Sequence, residues 1–153
     1  MKETRADIAE KLFRSGANCS QAIVGAFSDL IDIDREVLMK MVSPLGGGLS
    51  RLREVCGAVL GAAVVFGYLE GIGEVHTTEE KAELYRKFSS VADEFAKENG
   101  SYVCSELLGV RREGHVPEKR SDGYYEKRPC IKCVRNAAEI LEKALENKNE
   151  NPV

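Results

Sequence analysis

The apolar run at 55–69 constrains this chain most. It is bounded by Glu54 and Glu70 and is too short to span a bilayer. Apolar on all sides, it predicts a helix buried at the centre of a soluble fold. It follows a glycine triplet, Gly46-Gly47-Gly48, and opens with Cys56-Gly57-Ala58-Val59-Leu60-Gly61. Small residues at 57, 58, 61, 62 and 63 let another backbone come close, although glycine weakens a helix. A close approach beside a thiol suits a reactive or ligating cysteine. It equally suits a tightly packed central helix, and the spacing does not choose between them.

The flanking pattern supplies the remaining elements. Ile8 with Leu12 and Ala9 with Phe13 predict a helix over 4–14, ended by Gly16. Asn18 is an N-cap for a second helix, from Cys19 to about residue 30. Asp34 caps a third through Val42, broken by Pro44 and the glycines. Ser50 then caps the central helix, over 51–70, which places Cys56 about two turns inside it. Thr77 and Glu80 have capping-box spacing before the longest amphipathic helix, whose stripe of Tyr85, Phe88, Ala92 and Phe95 reads as core or subunit interface. Asn99-Gly100 ends it. Ser101 caps a short helix over 102–108, and the last helix runs over 130–145. No strand shows convincing alternation. The expectation is an all-α, single-domain bundle, 1–153, of about six or seven helices around the central helix at 51–70, with a frayed tail at 147–153.

The length of 153 residues suits one core, and the net charge of -3 leaves no basic footprint for nucleic acid. The N-terminus lacks a signal-peptide core. A cytoplasmic protein, not integral to a membrane, is the expectation. The glycine triplet lacks the ending of a P-loop and the spacing of a dinucleotide fingerprint. It reads as a connector or as a backbone concavity facing an anion. No serine nucleophile has a recognisable histidine partner. His76 and His115 fall in loops and read as solvated. The polar stretch 110–128 reads as a solvated loop, or as a lid that brings Arg111, Arg112, Arg120 or Arg128 to an anionic ligand.

Five cysteines remain: Cys19, Cys56, Cys104, Cys130 and Cys133. In a reducing compartment this number favours metal-binding or catalytic use over structural disulfides. Cys19, Cys104 and Cys130 fall at predicted helix starts, where the helix dipole favours thiolate. Cys130 and Cys133 form a Cys-x-x-Cys, whose first thiol usually attacks and whose second resolves. The alternative for any of them is packing, since free cysteine fills a core well. Cys19, Cys56, Cys104 and Cys130 could also ligate zinc or an iron–sulfur cluster, although the spacing is unlike common zinc modules.

The set Gly16-Ala17-Asn18-Cys19-Ser20-Gln21-Ala22, the glycine triplet, Cys56-Gly57-Ala58-Val59-Leu60-Gly61, Cys104-Ser105-Glu106-Leu107-Leu108-Gly109 and Cys130-Ile131-Lys132-Cys133-Val134 resembles the C-GCAxxG-C-C family of redox-active proteins. The resemblance covers about residues 10–145. It implies redox use of Cys19, Cys56, Cys104 and Cys130, with Cys133 additional to that minimal set. A related domain occurs in a haem-bearing cytochrome, but no Cys-x-x-Cys-His is present here, so covalent haem is not expected. The resulting expectation is a thiol-based redox protein in which Cys130 attacks, Cys133 resolves and Cys56 is a buried partner for Cys19 or Cys104. Its partner is a redox protein or a small-molecule substrate. A homodimer is expected from the long amphipathic helix and the glycine-rich centre.

Overall fold

The computed structural model describes residues 2–112 and 114–147; residues 148–153 of the expected tail lie outside them. Eight right-handed helices build the bundle: α1 (Arg5–Arg14), α2 (Cys19–Ala26), α3 (Arg35–Val42), α4 (Gly57–Glu70), α5 (Thr78–Asn99), α6 (Cys104–Leu108), α7 (Asp122–Lys127) and α8 (Cys130–Glu146). The expected all-α architecture is present. Among the described residues no helix is long and apolar enough to cross a membrane.

Local chemistry accounts for most helix boundaries. Thr4 and Asp7 form a reciprocal capping box at α1, and Asn18 and Gln21 form another at α2. Asp34 caps α3, and Thr77 accepts from the Glu80 backbone N–H at α5. Gly100, at φ 92°, closes α5 in the left-handed conformation expected of a helix-ending glycine.

The centre is α4, which packs against α2, α8 and α5, while α1 lies across α2 and α8. Phe13, Ile23, Phe27, Leu38, Phe95 and Leu141 are completely buried around it. Gly61 permits the α2–α4 contact. A Cβ there would stand 2.8 Å from the Ser20 carbonyl oxygen and 3.0 Å from its Cα, closer than packing allows. The close approach anticipated for these glycines is therefore real.

The central helix is shorter than expected. It starts at Gly57, not 51, and Ser50 does not cap it. Gly47, Gly48, Leu49, Ser50 and Arg51 all have φ between 51° and 69°, a left-handed turn that is followed by Arg53 at φ 61°. Side chains in this conformation cost about 1–2 kcal/mol each, so tertiary contacts must hold it. They do: Arg53 N–H donates to Gly47 O and Glu54 N–H to Gly48 O, while α6 clasps the exit. Val55 and Val103 form an antiparallel bridge, in which Cys56 N–H donates to Tyr102 O and Cys104 N–H to Glu54 O.

Two further boundaries moved. α6 begins at Cys104, because Ser101 Oγ accepts from the Val103 N–H just outside the helix. Within the expected loop at 110–128, Ser121 caps the short helix α7. α7 forms because Tyr124 and Tyr125 find partners: Tyr125 packs edge-on against Phe13 and Tyr124. The α5 stripe is buried only at its C-terminal half, at Val91 and Phe95, whereas Tyr85 is 61% exposed.

Candidate functional site

All five cysteines line one cavity of about 350 Å³ at the head of the bundle. Four helix N-termini deliver them. Cys19, Cys104 and Cys130 are the first residues of α2, α6 and α8, as expected. Cys56 is not two turns inside α4 but is its N-cap, so it joins the same arrangement. Each N-terminus offers unpaired N–H groups and the positive end of a helix dipole.

Asn18 anchors the first of these. Its side-chain oxygen accepts from Gln21 N–H, its amide donates to Ser43 O at 2.8 Å, and Ser20 Oγ donates to Val42 O at 2.9 Å. The start of α2 is thereby tied to the end of α3. Gly46 lies against Asn18, and a Cβ there would sit 2.5 Å from the amide. Gly57 lets Cys19 approach α4: a Cβ on it would be 3.2 Å from Cys19 Cβ and 3.1 Å from Leu45 O. Gly48 has the same role towards Cys104, at 2.6 Å from its Cβ. The recurring glycines thus set how closely the sulfurs gather.

The sulfurs influence one another in two pairs, Cys19 with Cys130 and Cys56 with Cys133. The Cys19 thiol, together with Arg128, Arg120 and Arg53, lowers the Cys130 pKa from 9.0 to about 7 against the opposing effect of burial. The neighbouring Cys130 sulfur and burial hold Cys19 well above the ordinary thiol range. The Cys56 pKa is lowered by the neighbouring Cys133 thiol and by the Ala58 and Val59 N–H groups. Cys133, raised by the neighbouring Cys56 and by burial, donates to Asn99 Oδ1 at 3.9 Å. The leading influence on each sulfur of the Cys-x-x-Cys comes from another element, Cys19 for Cys130 and Cys56 for Cys133. Cys104 is raised by burial, against Arg53, whose Nη1 stands 3.7 Å from its Sγ.

The loop and α7 cover the cavity. Of the arginines considered for a lid, Arg120 and Arg128 line it. Arg120 donates to Phe13 O and Ala17 O and stacks on Phe13 at 4.3 Å. Arg128 lies over Tyr124 at 4.6 Å and pairs with Glu118 at 3.0 Å. Residue 113 aside, the segment is held from below by Arg51, whose Nε donates to Gly114 O. His115 is exposed in the loop, as expected, and borders the cavity. Arg51 and Arg53 had no sequence signal, because a right-handed helix over 51–70 would have carried both away from the thiols.

Among the described residues, no three His, Cys, Asp or Glu side chains are placed to hold one metal ion. Cys19, Cys56, Cys104 and Cys130, considered as zinc or iron–sulfur ligands, are thus not gathered into such a group. All five thiols are free. What the arrangement can do is keep one thiol ionised near neutral pH beside a second that stays protonated.

No curated protein and no solved structure shows significant similarity to the chain. The family model described as "Putative redox-active protein (C_GCAxxG_C_C)" matches residues 17–144, a span that contains all five cysteines, the glycine triplet and the α2 capping box. The chain belongs to the C-GCAxxG-C-C family.

Proposed function

We propose that this protein is a thiol–disulfide oxidoreductase whose working pair is Cys130 and Cys19. The observation that carries the proposal is that Cys19 and Cys130, the first residues of α2 and α8, line one cavity with the other three cysteines, the Cys19 thiol being the leading cause that lowers the Cys130 pKa. Thiolate is the attacking species in exchange, and attack is most effective when the thiol pKa lies near ambient pH. Cys130, at about 7, meets that condition.

The chemistry balances with a disulfide as oxidant. The Cys130 thiolate attacks one sulfur of the substrate, forming a mixed disulfide and expelling the first thiolate, which takes a proton from water. Cys19 then loses its proton and attacks Cys130 Sγ, expelling the second substrate thiolate. Two thiols of the protein become one disulfide, and one substrate disulfide becomes two thiols. An external dithiol returns the protein to its starting state by the reverse exchange.

The order of events follows from the cause of the Cys19 shift. Its pKa is high chiefly because of the neighbouring Cys130 sulfur. Once Cys130 is bonded to substrate it carries no negative charge. The restraint on Cys19 is then relieved when a resolving thiolate is needed. Cys56 and Cys133 form a second, buried dithiol that can pass its electrons to the Cys19–Cys130 disulfide by the same exchange, itself becoming the disulfide.

Mapping the disulfide formed after one equivalent of a small disulfide tests this reading. The expected peptide joins Cys19 to Cys130, and Cys130→Ser abolishes reduction of the substrate. A Cys130–Cys133 linkage with Cys19 free would overturn the pairing. Unchanged reduction by Cys130→Ser would overturn the function.

A further inference from the structure

The chain is acidic overall, yet its cysteine cavity is cationic. Arg51, Arg53, Arg120 and Arg128 line it against one carboxylate, Glu118, which is already paired with Arg128. Three of these arginines have protein partners that account for them. Arg120 is held by two carbonyls, Arg128 by Glu118 and Arg51 by Gly114 O.

Arg53 is different. It is 5% exposed, its Nε has no hydrogen-bond partner, and no carboxylate pairs with it among the described residues. Among the described residues its one side-chain hydrogen bond is the long Nη1 bond to Cys104. A buried guanidinium N–H without a partner is destabilising. Arg53 acts on the Cys130 sulfur through charge alone, and no hydrogen bond joins the two among the described residues. The backbone is also held in a left-handed conformation to bring Arg53 here, with its carbonyl fastened by Ser105 N–H. Strain and an unpartnered buried N–H at one cavity-lining residue mark a place completed by a ligand.

We propose that the cavity binds its substrate as an anion against the Arg53 guanidinium, and that the substrate class is a small disulfide bearing carboxylates. The disulfide part rests on the redox reading above; the anion site does not. A guanidinium is suited to a carboxylate because its planar donors match the two oxygens. A cavity of about 350 Å³ is the size of a small-molecule site, not of a protein-docking face. The sulfur of such a ligand would be presented to Cys130 while its carboxylate is held at Arg53.

Alkylation of the reduced, full-length protein separates the two parts without requiring turnover. Iodoacetate carries the carboxylate and iodoacetamide is its neutral counterpart. Both form a thioether at Cys130 with loss of iodide. The expected result is saturable reaction with iodoacetate and a rate ratio, iodoacetate over iodoacetamide, on the order of tenfold above that of a free small thiol. Arg53→Gln brings the ratio back to the free-thiol value, and Arg53→Lys restores part of it. If Arg53→Gln does not fold, sulfate competition on the native protein replaces it. Sulfate is expected to slow iodoacetate more than chloride does at equal ionic strength. A free-thiol ratio without saturation, or equal effects of the two salts, overturns the anion site. The substrate class is read from an aromatic disulfide carrying a carboxylate on each ring against the neutral dipyridyl disulfide. Preference for the carboxylate form supports the class, and equal rates overturn it. An intact anion site in a protein that reduces neither disulfide refutes the redox reading alone.

Discussion

The two thiol pairs are built from the same parts and have opposite surroundings. In each, a second thiol is the leading influence on a sulfur at or before a helix start, and both pairs line the cavity. Cys130 is half-buried and faces Arg128, Arg120 and Arg53. Cys56 and Cys133 are 5% and 2% exposed, and Cys56 relies on Cys133 and two backbone N–H groups. A neighbouring thiol can depress a thiol pKa in either place. Access and cationic neighbours then decide which thiolate can attack a ligand and which is confined to exchange within the protein.

The largest effect should come from removing the outer nucleophile. Cys130→Ser is expected to slow alkylation by iodoacetamide at neutral pH by about a hundredfold. Cys133→Ser should leave that fast phase in place. Mass-resolved labelling over time distinguishes the two, and a fast phase that survives Cys130→Ser would reverse the comparison.

Cys19→Ala tests the leading cause of the outer shift. The alkylation midpoint of Cys130, near pH 7 in the native protein, should rise by about 1–2 units. A midpoint left near 7 would mean that the arginines suffice without the neighbouring thiol. The pH profile of the rate is the measurement.

Stability should follow the same shifts. The Cys130 pKa is depressed on folding, so its contribution is complete above the ordinary thiol value of 9.0 and is lost as pH falls through about 7. Cys19 is shifted upward, so its contribution holds below 9.0 and is lost only as pH climbs through its raised value. Urea midpoints of the reduced protein should therefore rise between pH 7 and 9, and Cys130→Ser should flatten that rise.

Gly57→Ala presses on the junction of the two pairs. Its Cβ would meet Cys19 Cβ, Leu45 O and Gly46 Cα, all at 3.1–3.2 Å. A loss of about 1 kcal/mol by urea unfolding is expected, together with a higher Cys130 midpoint as Cys19 is displaced. The smallest effect belongs to Arg128→Gln. It removes one charge that Glu118 already offsets, and the Cys130 midpoint should rise by about one unit or less.

The legible parts of this protein were those set within a few residues. The capping boxes at Thr4 and Asn18, the Asp34 and Thr77 caps and the Gly100 stop depend on neighbours three or four positions away, and all stand where the sequence places them. The all-apolar face of α4 and its small residues likewise announce a helix enclosed by others. Three cysteine positions at helix starts were readable for the same reason.

What the sequence by itself determined was therefore the set of helices, most of their ends and the family of the chain. The tertiary structure decided which sulfurs meet. Cys130 and Cys133 share a turn of helix, yet the thiols that most influence them are Cys19 and Cys56, which come from other elements. It also decided the left-handed turn, because Leu49, Ser50 and Arg51 have no local preference for that conformation and α6 must hold its exit. Arg53 reaches the thiols only through that turn. Sulfur pairing and backbone strain are long-range properties, settled by how closely Gly48, Gly57 and Gly61 allow separate segments to approach.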